Sequence, residues 1–339
     1  AAAAEQLPRV LHPAPPLAAP LQPDALTLFG PVAACALDLP GGHFPGQLLQ
    51  VSKGKLAVPE AFARGELLRL TRLPLAPPER HDGAPSSTQR MVALFEDDCH
   101  FYLLREQHDR IHGRIGLVEW LAVAAMPVAA TPVAALVGWI ARTTEQCLNG
   151  VQHLHAHSVM HLGICPAAVV LSDTVGEGAG LSPHTTAMLV DAGLGGLFSE
   201  VTSALKGRLG WREDGAAVRA APGRSYVGPA ARCAAPEALS NRPCAASDLY
   251  SLGCVLHLLL FGDLPPAAST LGIPPGAALR SISPASHAVK TGLHPAELIA
   301  LGQDLRHPAA TCRPTLAAAR SSAAVLVDLF ADRVASPHL

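Results

Sequence analysis

The chain has 339 residues, of which 49% are hydrophobic and 15% are charged, and its formal net charge is −2. Because no basic excess marks any surface, the composition argues against a nucleic-acid or membrane-surface binder. The charged fraction is well below the ~25% typical of soluble domains. This deficit indicates either a surface largely covered by protein partners or an alanine bias of the source genome. The length suffices for one two-lobed domain or two small ones.

Eight cysteines are scattered along the chain, and none forms a Cys-x-x-Cys pair. Cys254 lies within an apolar run, where a thiol behaves as a small hydrophobic side chain. Cysteines used in this way are typical of proteins without a disulfide framework. The sequence therefore predicts an intracellular, reducing compartment.

One uncharged stretch, residues 120–141, is long enough to cross a bilayer. Pro127 and Pro132 interrupt it, and its many alanines contribute little transfer free energy. The pattern favours the end of one helix, a turn and the start of a buried helix. No membrane span is predicted.

Residues 1–27 are rich in proline and alanine and show little periodicity, which is typical of an extended arm that lies on another surface or is disordered. Residues 28–108 alternate between strand and helix patterns. We predict a strand at 47–53, a helix at 61–73 and a hairpin formed by 91–95 and 99–104.

The rest of the chain, residues 109–339, is mainly helical in its patterning. The helix predicted at Asp248–Leu260 opens with an acidic residue and continues as an unbroken apolar run, so it should be buried on all sides. Further helices are predicted at 133–156, 295–305 and 316–334.

Three landmarks in this part resemble the C-lobe of a protein kinase. They are Ala235-Pro236-Glu237, the Asp-Leu-Tyr-Ser-Leu-Gly opening at Asp248, and Arg313-Pro314-Thr315. The resemblance implies that Asp248 holds the catalytic-loop backbone and that Glu237 and Arg313 form a buried ion pair. It also implies an α+β, bilobal protein-kinase-like fold, with a reduced β-rich N-lobe at 28–108 and a helical C-lobe at 109–339.

A segment beginning at His161 resembles the kinase catalytic loop His-Arg-Asp-Leu-Lys-Pro-x-Asn, but most of the chemistry is missing. Gly163 stands where the family has its catalytic Asp, Cys165 where it has Lys, and Ala168 where it has the metal-holding Asn. Leu162 replaces the Arg that receives an activation-loop phosphate. The resemblance therefore implies a pseudokinase that is not an enzyme and has no catalytic residues.

For the other nucleotide-binding features of the family, the sequence offers only candidate residues. Lys53 and Glu66 are the best candidates for the family's lysine–glutamate pair, and Asp191 in Asp-Ala-Gly for its metal-binding aspartate. Two unrelated surface charges would explain the first pair equally well. The glycine-rich loop is absent, because its nearest counterpart at 29–34 has one glycine and a proline. Neither a cofactor nor a metal ion is expected, although Asp191 could retain Mg²⁺ and ATP.

A histidine cluster at the end of the helix 133–156 suggests a metal site. His153 and His157 are four residues apart and share a face, whereas His155 points elsewhere. No carboxylate or cysteine completes a ligand set. Histidines at a helix C-terminus also complement the helix dipole, so we predict no metal.

The function expected from these residues is that of a catalytically inactive scaffold or structural subunit of a larger protein assembly. Its partners would be other proteins in a stable complex. The alternative is a divergent nucleotide-dependent transferase in which Asp191 is a metal ligand and Lys53 binds a phosphate group. A small helical interaction protein unrelated to kinases is a third reading.

In the comparison with kinases, the arginine-bearing segment 194–232 would be the activation segment.

Overall fold

The computed structural model describes residues 10–11, 25–26, 29–39, 42–74, 87–106, 115–117, 133–171, 186–198, 233–240, 242–261, 265 and 296–335. Within these ranges the fold is mixed α+β, as expected. A six-stranded sheet with one helix forms from the first third of the chain. The rest is mainly helical and carries a three-stranded sheet. Residues 118–132, most of the predicted activation segment and most of the proline-rich stretch after Phe261 lie outside the described ranges.

The large sheet is antiparallel except at one edge, and its strand order is β1-β5-β6-β4-β3-β2. The connection between β4 and β5 contains the helix α1, which packs on β5. The elements are β1 (Val10–Leu11), β2 (Ala25–Leu26), β3 (Pro31–Leu39), β4 (Gly42–Ser52), α1 (Glu60–Leu70), β5 (Met91–Glu96) and β6 (His100–Glu106). The predicted hairpin is therefore confirmed.

The described residues of the N-terminal arm lie against this sheet. β1 pairs in parallel with β5 at one edge, and β2 pairs antiparallel with β3 at the other. Both edges of the sheet are thus extended by the arm, and a covered edge is less available for pairing with other chains.

Most of the stretch 29–34, the nearest counterpart of a glycine-rich loop, forms part of the sheet. Pro31 is the first residue of β3, and the strand continues to Leu39. Gly30 lies so close to β4 that a Cβ atom there would collide with the carbonyl oxygen of Gln50. This glycine therefore permits a close backbone approach within the sheet.

The second part begins with the short strand β7 and contains five helices among its described residues. These elements are β7 (Ile115–Gly116), α2 (Val133–Ala156), β8 (Val169–Leu171), β9 (Ala187–Leu189), α3 (Pro236–Leu239), α4 (Ala245–Phe261), α5 (Ala296–Leu305) and α6 (Leu316–Ala335). The strand order is β7-β8-β9. α2 has the bounds predicted from sequence.

Helix α4 is the central element, and its predicted burial is confirmed. Every residue from Ser247 to Leu260 is buried except His257. One side of α4, with Tyr250 and Cys254, belongs to a hydrophobic cluster shared with the large sheet. The opposite side, with Leu252 and Val255, belongs to a second cluster shared with α2, α5 and α6. An all-round apolar helix fits this position because both faces meet protein.

Two further properties of the described residues bear on the sequence predictions. No helix among them is both long and apolar enough to cross a membrane. All eight cysteines lie in the described ranges, and each is a free thiol.

Candidate functional site

Asp248, in the first turn of α4, binds the backbone of the segment that resembles a catalytic loop. Its Oδ2 accepts a hydrogen bond from the amide of His161 and its Oδ1 one from the amide of Leu162, both at 2.8 Å. The residue is fully buried. Leu162 has a φ of 55°, a conformation that costs an L-residue roughly 1–2 kcal/mol. The contact expected of Asp248 is therefore present, and it holds a strained turn in place.

His155 completes the hydrogen bonding of Asp248. Its Nε2 donates to Oδ2 of Asp248 at 2.8 Å, so three donors surround one buried carboxylate. Sequence analysis placed His155 on a different face from His153 and His157 but assigned it no role. Its two-residue offset from His153 was the available signal, because that spacing turns a helical side chain to another face.

Glu237 and Arg313 form the predicted ion pair. The two guanidinium nitrogens of Arg313 contact the two carboxylate oxygens of Glu237 at 2.6 and 3.0 Å. Arg313 also donates to three backbone carbonyls, and its guanidinium lies 5.0 Å from the centre of the Tyr250 ring. Burial opposes ionisation of Glu237, but hydrogen bonds from Arg313 and Ser247 outweigh it and lower the pKa of Glu237. The pair ties α3 to the segment before α6.

The positions that would carry catalysis are packed into the interior. His161 is fully buried, and its Nε2 donates to the carbonyl of Val190 at 3.0 Å. Burial lowers the pKa of His161, against the opposing charges of Asp248 and Asp191. Cys165 and Ala168 are also fully buried, and a Cβ atom at Gly163 would lie 3.4 Å from the Cα of Gly195.

This loop leads into β8 through a single 3-10 turn, Pro166–Ala168. The amide of Ala168 donates to the carbonyl of Cys165, and the amide of Val190 donates to the carbonyl of Ala168, both at 2.9 Å. The residues at Gly163, Cys165 and Ala168 provide neither a general base, nor a cationic side chain, nor an oxygen ligand for Mg²⁺.

Lys53 does not pair with Glu66, so that prediction is wrong. Its Nζ contacts Oε1 of Glu60 at 2.9 Å and Oε2 of Glu96 at 3.2 Å. Glu66 instead pairs with Arg69 at 2.6 Å on the same helix. The physical reason is the position of α1, whose first residue is Glu60. Glu66 lies six residues further along, about 9 Å at 1.5 Å per residue.

Arg64 joins these charges into a network of two cations and two carboxylates. It binds Glu96 through two nitrogens at 2.9 Å and Glu60 at 2.8 Å. Burial opposes the charge on Lys53, but its hydrogen bonds with Glu60 and Glu96 prevail and raise the pKa of Lys53. The lysine is therefore a permanent cation whose charge is balanced locally.

Asp191 forms a buried ion pair with Arg105 from the end of β6. The side chains are 0% and 3% exposed, so the pair is sealed from solvent. Burial lowers the pKa of Arg105, and the charge of Asp191 opposes this effect. Asp191 has a φ of 64°, a left-handed conformation that aspartate tolerates better than most residues. Sequence analysis did not identify this contact.

The histidine pair on α2 is engaged with carbonyl groups. The rings of His153 and His157 are 4.8 Å apart. His153 donates from Nε2 to the carbonyl of Pro74 at 3.1 Å, and His157 from Nδ1 to the carbonyl of His153 at 2.8 Å. In the described part of the chain, no group of three or more His, Cys, Asp or Glu residues is arranged to hold a metal ion.

Comparison with known proteins adds no relative, since no protein-family model and no curated protein matches the chain.

Proposed function

We propose that this chain is a catalytically inactive, protein-kinase-like protein that acts as a scaffold or structural subunit of a larger protein assembly. The observation that carries the proposal is the binding of the His161–Leu162 backbone by Asp248. This contact is the one expected of a kinase C-lobe, but the loop that it holds lacks the reactive side chains.

The order of elements supports a bilobal arrangement. β4 leads to Lys53, α1 follows, and β5 and β6 lead to Arg105. Then α2 leads to the loop at His161, and α4 forms the buried centre of the helical part. Each of these steps was expected from the resemblance to the kinase family.

The missing groups weigh heavily against phosphoryl transfer. A general base contributes ~10²–10⁴-fold to a rate, and Gly163 has no side chain to act as one. Positioning and electrostatic stabilisation supply nearly all of the remaining catalysis in phosphoryl transfer. The side chains of Cys165 and Ala168 can neither position a phosphate or a metal ion nor stabilise its charge.

The residues that could hold Mg²⁺ and ATP do not fit these ligands. The carboxylate of Asp191 is bound by Arg105, and Ala168 offers no second ligand. The ammonium group of Lys53 is bound by Glu60 and Glu96. A phosphate would have to displace both carboxylates, and a cation would have to share the carboxylate of Asp191 with a buried guanidinium. No catalytic step can be built through such a site.

A protein assembly is the partner that the composition favours. The chain carries few charges, and its net charge of −2 offers no field for nucleic acid or anionic lipid. A stable complex with other proteins, in an intracellular reducing compartment, accounts for a weakly charged surface.

The competing hypothesis is a nucleotide-dependent transferase that uses Asp191 and Lys53. A thermal-shift titration with millimolar ATP and Mg²⁺ separates the two, because a ligand at 100 times its Kd stabilises the folded state by about 2.7 kcal/mol. We expect no shift in the wild type. A shift that is lost in both Asp191→Asn and Lys53→Met, with Lys55→Met as the matched control, would favour the transferase.

A further inference from the structure

The ion pair between Arg105 and Asp191 joins the two parts of the molecule. Arg105 belongs to β6 of the large sheet. Asp191 belongs to the helical part, where it lies two residues after the end of the strand β9. The two residues are separated by 86 positions in the sequence. Because both side chains are almost completely buried, neither charge can be compensated by bulk water.

Gln89 extends this contact into a connected set of hydrogen bonds. Nη1 of Arg105 donates to Oε1 of Gln89 at 3.4 Å, and Nε2 of Gln89 donates to Oε1 of Gln47 at 3.2 Å. The backbone of Gln89 also crosses to the second sheet, since its amide donates to the carbonyl of Leu189 at 3.0 Å. The amide of Leu189 donates in return to the carbonyl of Ser87 at 2.8 Å.

The charge at Asp191 explains why a cation is required at this place. A carboxylate without a compensating partner in the protein interior is strongly destabilising. In the kinase-like reading, a metal ion would supply that positive charge. Here the guanidinium of Arg105 supplies it from within the chain.

We propose that Arg105 is a built-in counter-ion for Asp191, and that this latch fixes β6 against the turn after β9 without a divalent cation or a nucleotide. The inference rests on the proposed scaffold function and extends it. A scaffold that needs no ligand to hold its shape can present the same surface to its partners at all times.

The test is a double-mutant cycle on the full chain with Arg105→Met, Asp191→Asn and the double variant. Asparagine is chosen because it tolerates the left-handed backbone at position 191. Arg105→Met should raise the equilibrium constant of unfolding at least ~100-fold, since removing one partner of a buried pair leaves an uncompensated charge. The unfolding constant of the double variant should be about tenfold lower than that of Arg105→Met, because both charges are then absent.

Arg64→Met is the matched control, because Arg64 also binds carboxylates but does so on α1 and between α1 and β5, and it is 38% exposed. It should change the unfolding constant only a few-fold. Hydrogen exchange measured on peptides covering 87–93 and 186–193 should accelerate in Arg105→Met and not in Arg64→Met. If Arg105→Met does not fold, Arg105→Lys is compared with Arg64→Lys by the same exchange measurement. Lysine cannot reproduce the paired contacts of the guanidinium, so exchange should be faster in Arg105→Lys.

Three results would overturn the latch. The first is an Arg105 variant that matches its Arg64 control in stability and exchange. The second is a cycle without coupling between positions 105 and 191. The third is a wild-type melting temperature that rises with Mn²⁺ over EDTA and loses this response in Asp191→Asn. A failed latch with no ATP turnover would leave the scaffold proposal standing, whereas ATP turnover by the wild type would remove it regardless of the coupling.

Discussion

Two groups of charged side chains have different kinds of partner in this molecule. Around α4, Asp248 and Glu237 have the partners that the sequence resemblance implies. Beside the large sheet, Lys53 and Asp191 have partners that it does not imply, namely Glu60 and Glu96 for the lysine and Arg105 for the aspartate. The contacts that hold the backbone are present, whereas the charges that would meet a ligand are neutralised by side chains of the same chain.

The largest effect is expected from breaking the ion pair of the helical part. Arg313→Met should lower the free energy of unfolding by ~3–5 kcal/mol, because it leaves Glu237 without its buried partner. Urea denaturation measures the change. Arg72→Met, at an exposed position, is the control and should stay within about 0.5 kcal/mol of the wild type. A similarly small loss in Arg313→Met would show that the pair does not hold this part together.

A somewhat smaller loss is expected from Asp248→Ala. The variant removes the acceptor for the amides of His161 and Leu162 and for the ring of His155. A buried donor left unsatisfied costs about 1–3 kcal/mol, and of the three donors only the amide of His161 is fully buried, so the loss should be about 2–3 kcal/mol. The exchange of the amides at 161 and 162 should accelerate, while the exposed Asp98→Ala control leaves them unchanged. Unaltered protection of these amides would contradict the role given to Asp248.

Acid should weaken the fold before the carboxylates titrate. Burial lowers the pKa of His161 and His153 below their usual 6.5, and burial together with Arg306 lowers the pKa of His257 to about 4. A histidine with a lowered folded-state pKa binds fewer protons when folded than when unfolded. Its contribution is therefore complete above about pH 6.5 and is lost as the pH falls towards the folded-state pKa.

Urea denaturation at about pH 7.5, 6 and 5 measures this dependence. The free energy of unfolding should fall across the series, and His257→Phe should reduce the slope because it removes one of the three groups. Below about pH 4.5 the lowered pKa values of Glu96 and Glu237 should add a further loss. A stability that is constant between pH 7.5 and 5 would contradict the lowered pKa values of these three histidines.

The smallest effects distinguish Glu96, which binds Lys53, from Glu66, which binds Arg69. Glu96→Gln should cost roughly 1–2 kcal/mol, because hydrogen bonds from both Lys53 and Arg64 lose their charged acceptor. Glu66→Gln should cost no more than about 0.5 kcal/mol, since its pair with Arg69 lies on one helix and is partly exposed to solvent. Equal losses in the two variants would restore Glu66 as a partner worth testing for Lys53.

Local sequence patterns predicted several of the helices and strands but none of the side-chain contacts between them. The bounds of α2 follow from apolar periodicity and the burial of α4 from an unbroken apolar run, and both are properties of neighbouring residues. The contacts of Asp248, Glu237 and Arg313 were expected only because the motifs around them resemble a known family. For these three residues the resemblance was specific enough to predict the contact partners from the sequence.

Other contacts depend on how separate elements meet, which no local pattern contains. The partner of Lys53 was mispredicted because it depends on where α1 starts relative to the end of β4. The pairing of Asp191 with Arg105 joins residues 86 positions apart, and nothing near either residue indicates it. The arm was predicted as extended, but its pairing with both edges of the sheet depends on the strands that those edges expose.

Phosphoryl-transfer activity tests the central claim most directly. The purified wild-type chain is incubated with γ-labelled ATP and Mg²⁺, and label transferred to protein or released as phosphate is compared with Asp191→Asn and a sample without protein. We predict that all three are indistinguishable. Label transfer or release that requires Mg²⁺ and disappears in Asp191→Asn would contradict the account.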